Sequence, residues 1–130
     1  MNILVTGGAG YIGSVTAEAL IQAGHSVTVY DSLVTGHRAA APDGVNFVEA
    51  DLADSHTLVE TFIKNKFDAV MHFAAFIEAG ESMKDPGRFY QNNFTNAITL
   101  AETAVRAGVK RFVLSSTAAV FQSSEEPLNE

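Results

Sequence analysis

The sequence predicts an α/β fold: one doubly wound parallel sheet with helices on its faces. Three observations predict it. Short β-rich runs alternate with longer helical stretches along the 130 residues. The first run breaks into a glycine-dense turn, Gly7-Gly8-Ala9-Gly10-Tyr11-Ile12-Gly13, before a helix. Apolar residues make up 47% of the chain, nine Phe among them, which supplies one buried core. Alternation of this kind implies βαβ units, because parallel strands can be joined only by a crossover. The length suits a single domain.

Ile3-Leu4-Val5-Thr6 is a continuous apolar run ended by glycines and reads as a buried strand. Ile12, Val15, Thr16, Ala19, Leu20 and Ala23 fall near helical spacing, with Gly24 where a C-cap would stand. Ser26 to Asp31 is the second strand, and the aperiodic stretch Leu33 to Gly44 is a loop. Asn46 to Ala50 is the third strand, and Asp54 or Ser55 caps a helix running to about Lys64. Ala69 to Phe73 is the fourth. A loop through Gly80 and Pro86-Gly87 then leads into a long helix, Arg88 to Ala107, ended by Gly108. Arg111 to Ser115 is the fifth strand. Gln122 to Glu130 is polar and aperiodic, so the domain is expected to span 1–121 and the tail 122–130.

Fifteen acidic against eight basic side chains leave a formal charge of −7. That balance argues against nucleic acid or an anionic membrane as partner, since both require a positive surface. A phosphate ligand stays open, because backbone N–H groups hold phosphate without basic side chains. The chain has no cysteine, hence no disulfide or thiolate chemistry, and His25, His37, His56 and His72 lack a metal-ligand spacing. No signal peptide is recognisable, and no apolar stretch approaches the ~20 residues that span a bilayer. A soluble, cytoplasmic protein is the default expectation.

The glycine loop follows a strand and opens a helix. Gly7 turns the chain off the strand, Gly10 removes a Cβ where backbone approaches pyrophosphate, and Gly13 allows close helix packing. The helix N-terminus offers N–H groups and partial positive charge to the phosphates. Spacing alone is also compatible with a plain βα turn. Asp31, 18 residues after Gly13 at the end of the second strand, favours a Rossmann-type dinucleotide site, where an acid accepts from the adenosine ribose hydroxyls. Its alternative role is an Asx turn or a helix cap. An acid here repels a 2′-phosphate, which favours NAD over NADP despite the neighbouring His37 and Arg38.

Thr6-Gly7-Gly8-Ala9-Gly10-Tyr11-Ile12-Gly13-Ser14 resembles the TGxxGxxG signature of extended short-chain dehydrogenases/reductases. Asp31 to Gly36, His72-Phe73-Ala74-Ala75, Gly80-Glu81-Ser82, Asn92-Asn93 and Ser115 to Val120 narrow the resemblance to the UDP-glucose 4-epimerases. It implies that Gly7, Gly10, Tyr11 and Ile12 line the pyrophosphate and Asp31 holds the ribose. It further implies that Asp51 and Leu52 hold the adenine, and that Phe73, Ala74 and Ala75 lie along the cofactor's middle. Asn92 would orient cofactor or loop groups, or simply stand on an exposed helix face. Ser115 and Ser116 would sit beside the nicotinamide, and Thr117 would meet the hexose C4 oxygen. Ile77 stands where some members have lysine.

In that family NAD takes a hydride from C4 of a UDP-hexose and returns it to the other face, with the tyrosine of a YxxxK motif as base. The tyrosines here are Tyr11, Tyr30 and Tyr90, followed four residues on by Val15, Val34 and Phe94. The resemblance places the motif some twenty-odd residues after Thr117, and the sequence ends at Glu130. The family pattern also departs at Phe121 and Gln122. The expectation is therefore an NAD-binding portion of an epimerase, truncated relative to the family and without turnover alone. UDP-hexose would bind only in a full-length enzyme. The alternative is a stand-alone nucleotide-binding or structural module that self-associates, as a homodimer through helix 88–107 or through an exposed fifth strand.

Overall fold

The computed structural model describes residues 1–117; the expected boundary at 121, the tail 122–130 and the motif positions 118–122 lie outside the described residues. Among the described residues five strands form one sheet: β1 (Asn2–Thr6), β2 (Ser26–Asp31), β3 (Asn46–Glu49), β4 (Ala69–His72) and β5 (Arg111–Leu114). Their order is β3-β2-β1-β4-β5 and every pairing is parallel. The chain winds outward from β1 in one direction, then restarts at β4 and winds outward in the other. This is the doubly wound sheet that the alternation predicts.

β1 and β4 carry apolar runs because both of their faces are covered. Leu4, Tyr30 and Val70 point to one face, where they meet Leu58 and Phe62 of α2 (Ser55–Lys64) and Leu100 and Ala104 of α5 (Asn96–Arg106). Phe62 and Phe67 add an edge-to-face pair there, with ring centroids 5.3 Å apart. Ile3, Val5, Val27, Val29 and Ala69 point to the other face, against Ala17 of α1 (Tyr11–Gln22). Asp54 is the α2 cap: its carboxylate accepts from the Thr57 N–H at 3.0 Å. A bond from the Thr57 hydroxyl, together with that backbone bond, holds the Asp54 carboxyl below its ordinary pKa.

Three local expectations need correction. Of the helically spaced residues of α1, Ile12 and Val15 are 58% and 57% exposed, while Gly13 and Ala17 are buried. The glycine loop draws the first turn of α1 so close to the end of β1 that only small residues fit between them. The expected loop after β4 contains a six-residue helix, α3 (Ala79–Lys84), which buries nothing and so carries no apolar period. The long helix is real but interrupted: α4 (Pro86–Tyr90) passes into a π turn (Gln91–Thr95) before α5. Leu100 and Ala104 are buried, whereas Phe94, Ile98 and Val105 are exposed. A 3-10 turn (Arg38–Ala40) also interrupts the expected loop after β2.

Among the described residues β5 is a sheet edge, with Phe112, Val113 and Leu114 at 40%, 48% and 59% exposure. No helix among them is long and apolar enough to cross a membrane.

Candidate functional site

The sheet order reverses between β1 and β4, and the loops leaving their C-terminal ends diverge there. Such a switch point opens a crevice in any doubly wound sheet. Here it is a cleft of about 990 Å³, at the top of the range for ligand pockets, roughly 300–1,000 Å³.

Two walls build it. On the β1–β3 side stand Gly7, Gly10, Tyr11, Ile12 and Gly13, then Asp31, and then Asp51 with Leu52. On the β4–β5 side stand Phe73, Ala74 and Ala75, Asn92 from the π turn, and Ser115, Ser116 and Thr117 beyond β5. Every position expected from the sequence thus lines one cleft.

The glycine loop is held by its own backbone. Gly7 has φ +72°, its N–H donates to the Tyr30 carbonyl at 2.9 Å, and its carbonyl accepts from Gly10 N–H at 3.1 Å. A Cβ on Gly7 would come within 2.6–2.8 Å of the Ala74 and Phe73 backbone, across the switch point. A Cβ on Gly13 would overlap the Gly7 carbonyl oxygen, so this glycine seats the helix on the loop itself. Gly10 is the N-cap of α1 and supplies no side chain to the first turn. Unclaimed N–H donors at a helix start, beside a cleft, form an anion site. Among the described residues no lysine or arginine lines the cleft.

Asp31 is 8% exposed and ties the site together. One carboxylate oxygen accepts from Ala9 N–H in the glycine loop at 2.9 Å. The other accepts from Leu33 N–H at 2.8 Å. The Asx turn and the ligand role are therefore compatible: a carboxylate has about four acceptor sites, and the protein fills two. The turn holds Leu33 at φ 59°, a strained conformation for a branched side chain. His37 N–H then donates to the Ala9 carbonyl at 3.0 Å, folding this loop back over the glycines. Arg38 lies over the Phe47 ring, 4.2 Å from its centroid, and neither it nor His37 lines the cleft.

Asp51 forms its own Asx turn to Ala53 N–H at 2.8 Å. The buried Tyr30 hydroxyl donates to the Asp51 carbonyl at 3.1 Å. Burial, reinforced by the charges of Asp54 and Asp51, pushes the Tyr30 pKa up to about 12, so it stays a donor.

Sequence reasoning gives no role to Gly36, His72, Phe76 or Asn93, which also line the cleft. Gly36 is bare because a Cβ there would lie 2.9 Å from Asp31 Oδ1 and 3.0 Å from the Ala9 Cβ. The signal was present: Gly36, His72 and Asn93 all fall inside the motifs that carry the resemblance. His72 is buried and its Nδ1 shares a 2.6 Å hydrogen bond with the Thr6 hydroxyl. Burial lowers its pKa. The unfolded chain therefore binds the proton more readily than the folded one, and stability rises with pH through that window. The contribution is complete above the ordinary histidine value of about 6.5 and is lost as pH falls toward the folded value. Urea unfolding at pH 7.5, 6.5 and 5.5 should show falling stability, by at most about 1.4 kcal/mol per pH unit from this group. His72→Asn should flatten that slope; an unchanged slope would clear His72 as its source.

Among the described residues no group of three or more His, Asp or Glu is placed to hold a metal ion.

The sequence model of the NAD dependent epimerase/dehydratase family matches residues 3–130. The UDP-glucose 4-epimerase of Lacticaseibacillus casei is 45% identical over 131 residues, covering 100% of this chain and 40% of the relative. That of Rhizobium meliloti (strain 1021) is 47% identical over 120 residues, covering 92% and 36%. Among solved structures, the Thermus thermophilus UDP-glucose 4-epimerase complex with NAD superposes with a TM-score of 0.91 at 36% identity, covering 100% of this chain and 42% of that one. The Brucella ovis UDP-glucose 4-epimerase in complex with NAD gives a TM-score of 0.88 at 41% identity, covering 99% and 40%. The chain therefore spans about two fifths of the length of these relatives.

Proposed function

The chain belongs to the NAD dependent epimerase/dehydratase family, and from that membership we propose that its cleft holds NAD as the cofactor half of a UDP-hexose 4-epimerase site. The observation that carries this reading is the single cleft joining the glycine loop, Asp31 and the Phe73–Ala75 wall across the switch point. The residues fit the cofactor: bare glycines leave room for pyrophosphate, a buried carboxylate keeps acceptor sites for ribose hydroxyls, and an acidic rim, without lysine among the described residues, disfavours a 2′-phosphate.

In this reading Gly7, Gly10, Tyr11, Ile12 and Gly13 surround the pyrophosphate, and Asp31 accepts from the adenosine ribose. Asp51 and Leu52 take the adenine; Phe73, Ala74 and Ala75 lie along the cofactor. Asn92 and Ser115 orient its nicotinamide half, and Thr117 meets the hexose C4 oxygen. Bound NAD supplies a hydride acceptor for C4. The C4 hydroxyl also needs a base, and a threonine hydroxyl is too weak an acid for that work. These 130 residues contain no tyrosine followed four residues on by lysine. NAD binding without epimerase turnover is thus the expected property of the chain itself.

Calorimetric titration should give saturable binding of NAD and much weaker binding of NADP. A coupled assay on the same sample should show no interconversion of UDP-glucose and UDP-galactose. Absence of NAD binding would remove the cofactor reading, and turnover would remove the claim of inactivity. A second reading, a self-associating module without catalysis, is favoured by the β5 edge, open among the described residues, and by the exposed Phe94 and Ile98. A cytoplasmic location belongs to the first reading.

A further inference from the structure

We propose that Asn93 is a positioning residue for the cofactor wall of the cleft, and that the π turn exists to let Asn92 and Asn93 serve that wall together. The proposal rests on the reading of the cleft as a dinucleotide site.

The Asn93 side chain closes a two-bond ring on the backbone of Phe76. Its Oδ1 accepts from Phe76 N–H at 2.9 Å, and its Nδ2 donates to the Phe76 carbonyl at 2.8 Å. The carboxamide orientation is forced, because a backbone N–H must meet the oxygen and a carbonyl must meet the nitrogen. Asn92 Nδ2 donates to the same Asn93 Oδ1 at 2.8 Å. A chain of hydrogen bonds therefore runs from Asn92 through Asn93 into the loop that follows Ala74 and Ala75.

The Phe76 ring is gripped by the same helical run. It packs on Phe89, centroids 5.5 Å apart, and carries the Arg88 guanidinium 4.4 Å from its own centroid. Without these ties the segment between Phe73 and Glu78 would be a surface loop with few backbone partners. With them, the wall of small residues is held at a fixed distance from the glycine loop.

The π turn makes the arrangement available. On a regular α-helix adjacent residues point about 100° apart, and side chains three or four apart share a face. Here adjacent Asn92 and Asn93 both line the cleft. Residues five apart also meet: Gln91 Nε2 donates to Oδ1 of the buried Asn96 at 3.1 Å. That contact matches the i→i+5 register of a π turn and pins it. Single π turns of this kind recur at functional sites.

The test separates positioning from general support of the fold. ADP needs only the β1–β3 wall and the glycine loop, whereas NAD needs both walls. Asn93→Leu removes both bonds while keeping the branched heavy-atom skeleton, and Asn93→Asp keeps the acceptor but loses the donor. We expect NAD affinity to fall at least tenfold in the leucine variant and several-fold in the aspartate variant, with ADP affinity within twofold of the parent in both. Amide hydrogen exchange at Phe76 in the ligand-free protein should accelerate at least tenfold in the leucine variant. Parallel losses of NAD and ADP, or unchanged NAD affinity, would overturn the proposal. If the parent binds ADP but not NAD, the dinucleotide reading fails, and an unchanged Phe76 exchange rate in the variants would then overturn the clamp as well. Should the leucine variant not fold, the aspartate variant carries the same comparison.

Discussion

Replacing Gly7 by alanine is expected to cost roughly 3 kcal/mol or more of folding stability, from two separable causes. The left-handed backbone at φ +72° costs a side-chain-bearing residue about 1–2 kcal/mol. The new Cβ would also lie 2.6 Å from Ala74 N and 2.7 Å from Phe73 C. Those are backbone atoms of the neighbouring strand's exit, so no rotamer change relieves the overlap. Overpacking of this kind adds about 1–3 kcal/mol. Gly24 is the internal control: φ is +81°, yet a Cβ there meets nothing within 4 Å. Thermal unfolding should fall by roughly 10 °C or more for Gly7→Ala and by only a few degrees for Gly24→Ala. Equal losses would show that the close approach across the switch point contributes nothing.

Asp31→Ala should be the most damaging single change to cofactor binding. The buried carboxylate holds two backbone donors, Ala9 N–H and Leu33 N–H, at 2.9 and 2.8 Å. Hydrogen bonds to a charged group are each worth about 1.5–3 kcal/mol, so a loss near 3 kcal/mol is expected before any ligand is added. Leu33 would lose the bond that offsets its strain, and the glycine loop would lose its tie to β2. The ribose would also lose its acceptor, and NAD affinity should fall at least a hundredfold. Urea unfolding and calorimetric titration on one sample measure both effects. Asp31→Asn retains one acceptor of the same shape and should lie between. NAD binding undiminished in Asp31→Ala would transfer the ribose role elsewhere and leave Asp31 as a loop strut only.

The sheet was legible because its signals are local. Ile3 to Thr6, Val27 to Tyr30 and Ala69 to His72 are apolar runs bounded by breakers, and parallel order follows from the crossovers between them. The cleft was legible for a related reason: glycines and acids sit at strand ends, where a switch point converges them. What escaped was whatever depends on distance in sequence. Ile12 and Val15 have helical spacing, but which face of α1 turns inward is decided by the contact of Gly13 with Gly7. α3 has no buried residue and hence no pattern. The π turn leaves no mark on the apolar period of the helix, and the bond from Asn93 to Phe76 spans 17 residues. Asp31 was legible as an acid at a strand end, but not as the acceptor from Ala9, 22 residues away.

The seam between β1 and β4 also has a kinetic side. Thr6 and His72 are partners across 66 residues, whereas Asn2 and Ser26 of the β1–β2 pair stand 24 apart. Closing the longer loop costs about 0.9 kcal/mol more chain entropy on the (3/2)RT ln n scaling. In the proposed cofactor reading the glycine loop stands on one side of that costlier seam and Phe73 to Ala75 on the other. A dinucleotide that needs both walls would gain its full binding energy only from chains that have joined the two halves, so mass action would favour the joined state over one with β1–β3 paired and β4 adrift. Occupancy of the cleft by such a ligand would then act as a latch on the fold, strongest at the pairing that is hardest to make.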